Sequence, residues 1–242
     1  MVLYFEAPDS LTDFYIDEVQ CANEGTKSSV TTGKGTVTAG TTPPTVNPST
    51  GNGVDISWID PSKPMVAISF DDGASPATGN RIVDALDKSG FHATFFYVGD
   101  WIRDANGEAE VKSAYQKGME IANHTKSHPN LSEKSAAEIR SEYDQCAAKL
   151  KGIIGAEPSK LLRLPYLASN ATVTSTLNDA PLITCAVDTQ DWNGASKEQI
   201  VNTIKSGMSN GSLNGSIVLC HETYESTAAA IEELAPYMKS QG

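Results

Sequence analysis

Hydrophobic and polar positions follow two rhythms along this chain. From Val66 onward, short apolar runs recur at 66–70, 94–98, 119–122, 161–165, 182–187 and 216–220, with longer mixed stretches between them. Runs of this length, apolar throughout, suit strands buried on both faces. In the stretches between, apolar residues step by threes and fours. Ile139, Tyr143, Cys146, Leu150 and Ile153 share one face of a helix. Gly90 is placed to end a helix over 78–89, and Gly155 to end one over 136–153, as C-terminal caps. Strands alternating with helices predict an α/β fold, with parallel strands and helices packed outside them. No internal repeat is visible.

The pattern before Val66 differs. Residues 31–53, "TTGKGTVTAGTTPPTVNPSTGNG", are mostly Thr, Gly and Pro with Lys34 as the one charge, and such a stretch cannot bury a core. Upstream lie two β-prone runs, 2–6 and 13–19, around a Pro-Asp-Ser turn. Two strands alone are marginally stable in water. The expected organisation is therefore a remnant of a preceding β-rich module over 1–22, a linker over 23–57 and a catalytic domain over 58–242. The competing reading makes the first segment a hairpin docked on the main domain. The opening "MVLYFEAPDS" has no basic start and no long apolar run, so it does not read as a signal peptide, and Met1 reads as a start inside a longer gene.

Charge narrows the partners. The formal net charge of −12 argues against nucleic acid or an anionic membrane as the main partner. No apolar run approaches the roughly 20 residues that span a bilayer. Cys21, Cys146, Cys185 and Cys220 are widely spaced and form no C-x-x-C pair, so they read as buried free thiols. The place of Cys146 on an apolar helical face agrees with that.

The candidate chemistry lies at strand ends. Asp71 and Asp72 close the first run, His124 follows "EIAN", Arg163 and Tyr166 sit in and after "LLRLPY", Asp188 follows "LITCAV" and His221 follows "SIVLC". In a βα barrel such ends converge on one face, where active sites are built. Only four histidines are present, and "NHTKSHPNL" sets His124 and His128 four apart. Pro129 disfavours a long helix there, which predicts a single turn holding both rings on one side. Two imidazoles and the Asp72 carboxylate make three ligands to a divalent ion and leave a position open, the pattern of a catalytic site. Asp71 then needs another partner, and Arg163 is the cation at hand. His92 reads as a packed or surface histidine.

These residues resemble a family. "SFDDG" (69–73), "HTKSH" (124–128), "RLPY" (163–166), "DTQDW" (188–192) and "LCH" (219–221) have the order and approximate spacing of the five motifs of polysaccharide deacetylases, carbohydrate esterase family 4, over about residues 64–242. The resemblance implies a distorted, incomplete (β/α) barrel. It implies Asp71 as general base, oriented by Arg163, and Asp72, His124 and His128 as ligands of one divalent ion, zinc first and cobalt second. It implies His221 as general acid, with Asp188 supporting the site and tuning His221. Trp192 and Leu219 would line the pocket for the acetyl methyl, and the Tyr166 backbone N–H would help bind the oxyanion. Two departures stand out. Leu167 occupies a place where the family often has glycine, and the chain ends at "PYMKSQG" where the family usually continues into a final strand.

The implied activity is metal-dependent deacetylation of an acetylated polysaccharide by a secreted enzyme, part of a larger modular protein. "TDFYIDEV" resembles the last strand of jelly-roll carbohydrate-binding modules found beside xylanases, which favours O-acetyl xylan as substrate. N-deacetylation of chitin oligomers or peptidoglycan is the alternative, and a non-catalytic carbohydrate-binding protein is the second.

Overall fold

The computed structural model describes residues 64–241. The expectations for 1–22, for the linker 23–57 and for the first six residues of the predicted catalytic domain lie outside the described residues.

Five strands, β1 (Val66–Asp72), β2 (Thr94–Tyr97), β3 (Glu120–Asn123), β4 (Val187–Asp188) and β5 (Ser216–His221), form one sheet in the order β3-β2-β1-β5-β4. Every pairing is parallel. Six helices intervene or follow: α1 (Pro76–Ser89), α2 (Ala105–Gln116), α3 (Ala136–Ile154), α4 (Ala171–Thr176), α5 (Lys197–Ser209) and α6 (Glu225–Gln241). Two predicted strands, 161–165 and 182–187, are largely extended links. Leu162 bridges Asn123 on one side and Leu182 on the other. The Ala186 N–H then reaches the Ile217 carbonyl at 2.9 Å. This path carries the chain from the β3 edge back to β5, so the sheet curls into a distorted barrel whose wall is incomplete at 161–187. Pro165 and Pro181, which lack an N–H, lie within this stretch and limit ladder formation there.

Alternation along β1 separates two environments. Ile68 and Phe70 face the helices and join the main core with Ile82, Leu86, Phe95 and Ile231. Ser69 and Asp71, buried on the opposite face, both bind the Arg163 guanidinium inside the barrel. Phe96, Ala122, Leu161 and Ile183 fill that interior beneath them. Helix α3 keeps the predicted face: Ile139, Cys146 and Leu150 are buried, with Ile154 completing the stripe in place of the half-buried Ile153. A capping box between Ser135 and Glu138 starts α3, and Gly155 ends it at φ 73°. The three described cysteines are free, and burial pushes the Cys146 thiol up to about 12.

Candidate active site

Parallel strands bring their C-terminal ends to one rim. In the β1–β5 register Asp71 stands beside His221, and in the β2–β3 register Tyr97 stands beside Asn123, so His124 emerges next to β1's end. Asp72 turns away from the strand at φ 78°, followed by Gly73 at φ 57°. The glycine is required here. A Cβ on Gly73 would lie 2.1 Å from Glu222 Oε1, the same oxygen that accepts the Ser75 N–H at 3.0 Å.

Asp72 Oδ1 is buried without a hydrogen bond and lies 3.7 Å from His124 Nε2 and 3.6 Å from His128 Nε2. One ligand atom from each of the three residues falls within 4.8 Å of the others. An orphaned carboxylate oxygen facing two imidazole nitrogens fits a divalent cation, which would satisfy all three. The rings are prepared for it. His124 Nδ1 lies 2.7 Å from the Arg163 carbonyl, which fixes its tautomer and leaves Nε2 for the ion. Burial and the neighbouring His124 lower His128 to about 4, so its ring is neutral, as a ligand must be. The segment between the histidines is not the helical turn expected from the sequence. Thr125 and His128 both take positive φ, 69° and 61°, in a bend held by the His128 N–H to Thr125 Oγ1 at 3.0 Å. Trp101 stacks on the His128 ring at 5.2 Å and Tyr166 meets it edge-on at 4.9 Å.

Asp71 has different surroundings. Its Oδ1 accepts from Arg163 Nη1 at 2.7 Å, while Oδ2 points toward His124 Nε2 at 3.6 Å. Arg163 is fully buried. It also donates to Ser69 Oγ, to the Ile183 carbonyl and to the Thr184 carbonyl, and it lies 4.4 Å above the Phe96 ring. A guanidinium clamped at this many points holds one carboxylate oxygen and leaves the other open to the site.

The structure corrects one placement. Asp188 does not reach His221. Its carboxylate accepts the Gln190 N–H, the Gln190 amide and Trp192 Nε1, and so orients the tryptophan. The partner of His221 is Asp191, which is 1% exposed. Asp191 Oδ1 lies 2.8 Å from His221 Nδ1, and Oδ2 accepts the His221 N–H and the Thr227 hydroxyl at 2.6 Å each. Gln190, in the left-handed region at φ 58°, turns the chain between the two aspartates and sends the second one inward. Burial opposes the His221 cation, but the hydrogen bond and charge of Asp191 outweigh it and raise the His221 pKa. Asp191 itself resists burial through that bond and stays below the usual carboxylate range. Leu219 is buried one pleat below His221, while Trp192 is half exposed at the rim. Tyr166 and Leu167 take φ of 59° and 53°, the conformation for which glycine would be the easy choice at 167. His92 lies on the surface with Nδ1 at 2.9 Å from the Gly118 carbonyl.

The sequence model of the polysaccharide deacetylase family matches residues 59–184. The chain belongs to the polysaccharide deacetylase family. Among its relatives, the peptidoglycan-N-acetylmuramic acid deacetylase PdaC of Bacillus subtilis is 32% identical over 185 residues, covering 76% of this chain and 38% of that protein. A peptidoglycan-N-acetylglucosamine deacetylase of Bacillus cereus is 30% identical over 210 residues, covering 79% and 73%. A bifunctional xylanase/deacetylase of Pseudobutyrivibrio xylanivorans is 30% identical over 181 residues, covering 74% and 29%. The chain thus spans well under half of two of these relatives. Among solved structures, that of PdaC superposes with a TM-score of 0.69 at 31% identity over 76% of this chain and 87% of that one. The Xyl-CE4 domain of a multidomain xylanase from the hindgut metagenome of Trinervitermes trinervoides gives 0.66 at 27% identity over 74% and 85%. These matches carry the expected fold and agree with the family assignment. No helix among the described residues is long and apolar enough to cross a membrane.

Proposed function

We propose that this protein hydrolyses acetyl groups on a polysaccharide with one divalent ion, zinc, held by Asp72, His124 and His128. The observation that carries the proposal is the orphaned, buried Asp72 Oδ1 facing two imidazole nitrogens beside the Arg163-clamped Asp71. A bound zinc ion supplies Lewis acidity toward the acetyl carbonyl and toward water. Asp71, with Oδ1 pinned by Arg163, offers Oδ2 to take the proton of the attacking water. His221, kept protonated by Asp191, gives a proton to the departing sugar oxygen or nitrogen. The Tyr166 N–H stabilises the oxyanion, and Leu219 and Trp192 border the methyl. Asp188 acts on the site through Trp192. A carbohydrate-binding protein without turnover would need neither the buried arginine on Asp71 nor the aspartate on His221.

The substrate we assign is O-acetyl xylan. The xylanase/deacetylase relative and the xylanase domain among the structures support it. A second reading, N-deacetylation of peptidoglycan, is favoured by the 32% identity to PdaC. The same acid–base pair serves either bond, so activity on an ester alone does not separate them. The test compares kcat/KM on acetylated xylo-oligosaccharides with that on N-acetylated glycan oligomers, using one zinc-loaded preparation. The assignment predicts a clear preference for the xylo-oligosaccharides, and a preference for the N-acetylated oligomers overturns it.

A further inference from the structure

A cleft of about 680 Å³ opens beside the candidate metal site, with Gly73 and Thr223 at its edge, one and two residues beyond Asp72 and His221. Trp101, the residue stacked on His128, forms another part of its wall. A sugar chain that presents its acetyl group to Asp71 therefore has this cleft next to it. The wall offers an indole, the side chains of Asn80 and Asn106, and one cation, Arg103. An aromatic surface with a few amides suits a saccharide ring.

Arg103 is the distinctive group. It is exposed and makes no ion pair or hydrogen bond among the described residues, in a chain of net charge −12. Neither acid of the same wall is paired with it. Asp104 caps α2, accepting the Asn106 and Gly107 N–H groups at 3.0 Å each, so its charge is directed to the helix N-terminus. Glu110 is 1% exposed, shares a hydrogen bond with the buried Glu222 and is pushed by burial up to about 7.

We propose that this cleft is a subsite for the sugar next to the acetylated one, and that Arg103 selects a sugar bearing a carboxylate. The inference rests on the deacetylase reading above. A guanidinium can grip a carboxylate with two parallel hydrogen bonds, which a neutral hydroxyl cannot match. Two glycans supply that chemistry: a uronic acid branch on xylan, and the lactyl group of N-acetylmuramic acid in peptidoglycan where no peptide is attached to it.

The experiment uses the zinc-loaded protein and its Arg103→Gln and Arg103→Lys variants on two matched pairs. One pair is acetylated xylotetraose with and without a glucuronic acid branch. The other is the N-acetylglucosamine–N-acetylmuramic acid disaccharide against di-N-acetylchitobiose. In one pair the carboxylate-bearing member is expected to have kcat/KM about tenfold higher, through KM, as a charge-assisted contact gives. Which pair shows it identifies the source. Arg103→Gln should erase the advantage, Arg103→Lys should keep part of it, and the neutral members should react as before. No advantage in either pair, or equal slowing of charged and neutral members by Arg103→Gln, overturns the proposal. If no substrate releases acetate, the deacetylase reading fails, and the subsite is judged by NMR titration with the carboxylate-bearing saccharides. Weaker binding to Arg103→Gln then supports it, and equal binding overturns it.

Discussion

Asp71 and Asp72 are neighbours in sequence with opposite surroundings: one is clamped by a buried guanidinium, the other faces two imidazoles with an unpartnered oxygen. Their substitutions should therefore separate. Asp71→Asn is expected to keep zinc and lose about 1,000-fold in kcat, the middle of the range a general base contributes. Asp72→Asn should weaken zinc binding by about 100-fold or more, beyond what an outer-shell change costs. Zinc content and turnover of both variants check this, and equal zinc loss in the two would show the roles misassigned. The adjacent aspartates, the H-x-x-x-H pair and the arginine were legible because their residue types restrict what they can do. The partner of His221 was not. "DTQDW" holds two aspartates three apart, and only the left-handed turn at Gln190 decides which one turns inward. Asp191 raises the His221 pKa, so it would keep the proposed general acid protonated at higher pH. Asp191→Asn should move the alkaline limb of the kcat profile to lower pH and cost about 100-fold at pH 8. An unmoved limb would mean that His221 titrates independently of Asp191.

Among the elements, the helices were the easier part to read. The three-and-four spacing and the two terminal glycines located α1 and α3 to within a residue or two at their ends, since caps and periodicity are local properties. Strands depend on partners far along the chain. Runs 161–165 and 182–187 are as apolar as β1, yet they form little more than single bridges and a two-residue strand, because the sheet is incomplete where they pass. A second long-range feature had no local signal at all. Glu110 of α2 and Glu222 after β5 bury their carboxyl groups together under the Gly73–Ser75 turn, with the Tyr97 hydroxyl on Glu110 at 3.4 Å. Burial raises Glu110 from 4.5 to about 7. The folded chain then holds a proton that the unfolded chain releases near 4.5. The stability linked to it is fully present below that pH, falls as pH rises and is gone above about 7. Thermal melts between pH 4.5 and 8 should show the decline, and Glu110→Gln should flatten it. An unchanged slope in that variant would place the proton elsewhere.

At the scale of the whole molecule, the barrel rim unites residues from five separate sequence motifs, and the family match begins at residue 59, just before the described fold. None of the motifs lies in the Thr/Gly/Pro-rich stretch or upstream of it. A protein beginning at Asp55 is accordingly expected to keep its rate on a small acetylated sugar within about twofold, a difference well under 1 kcal/mol. Misfolding of that protein would instead make the first segment part of the catalytic domain. The order of the motifs and the grouping of their residues at one rim support the central proposal, that a single divalent ion held by Asp72, His124 and His128 gives this fold its deacetylase activity. The most direct measurement strips the protein with a chelator and follows acetate release from an acetylated oligosaccharide while zinc is added back. Activity should be absent at the start, rise linearly and level off at one zinc per chain, and the Asp72→Asn protein should show no such rise. Full activity in the stripped protein, or a plateau that is the same with and without the Asp72 carboxylate, would contradict it.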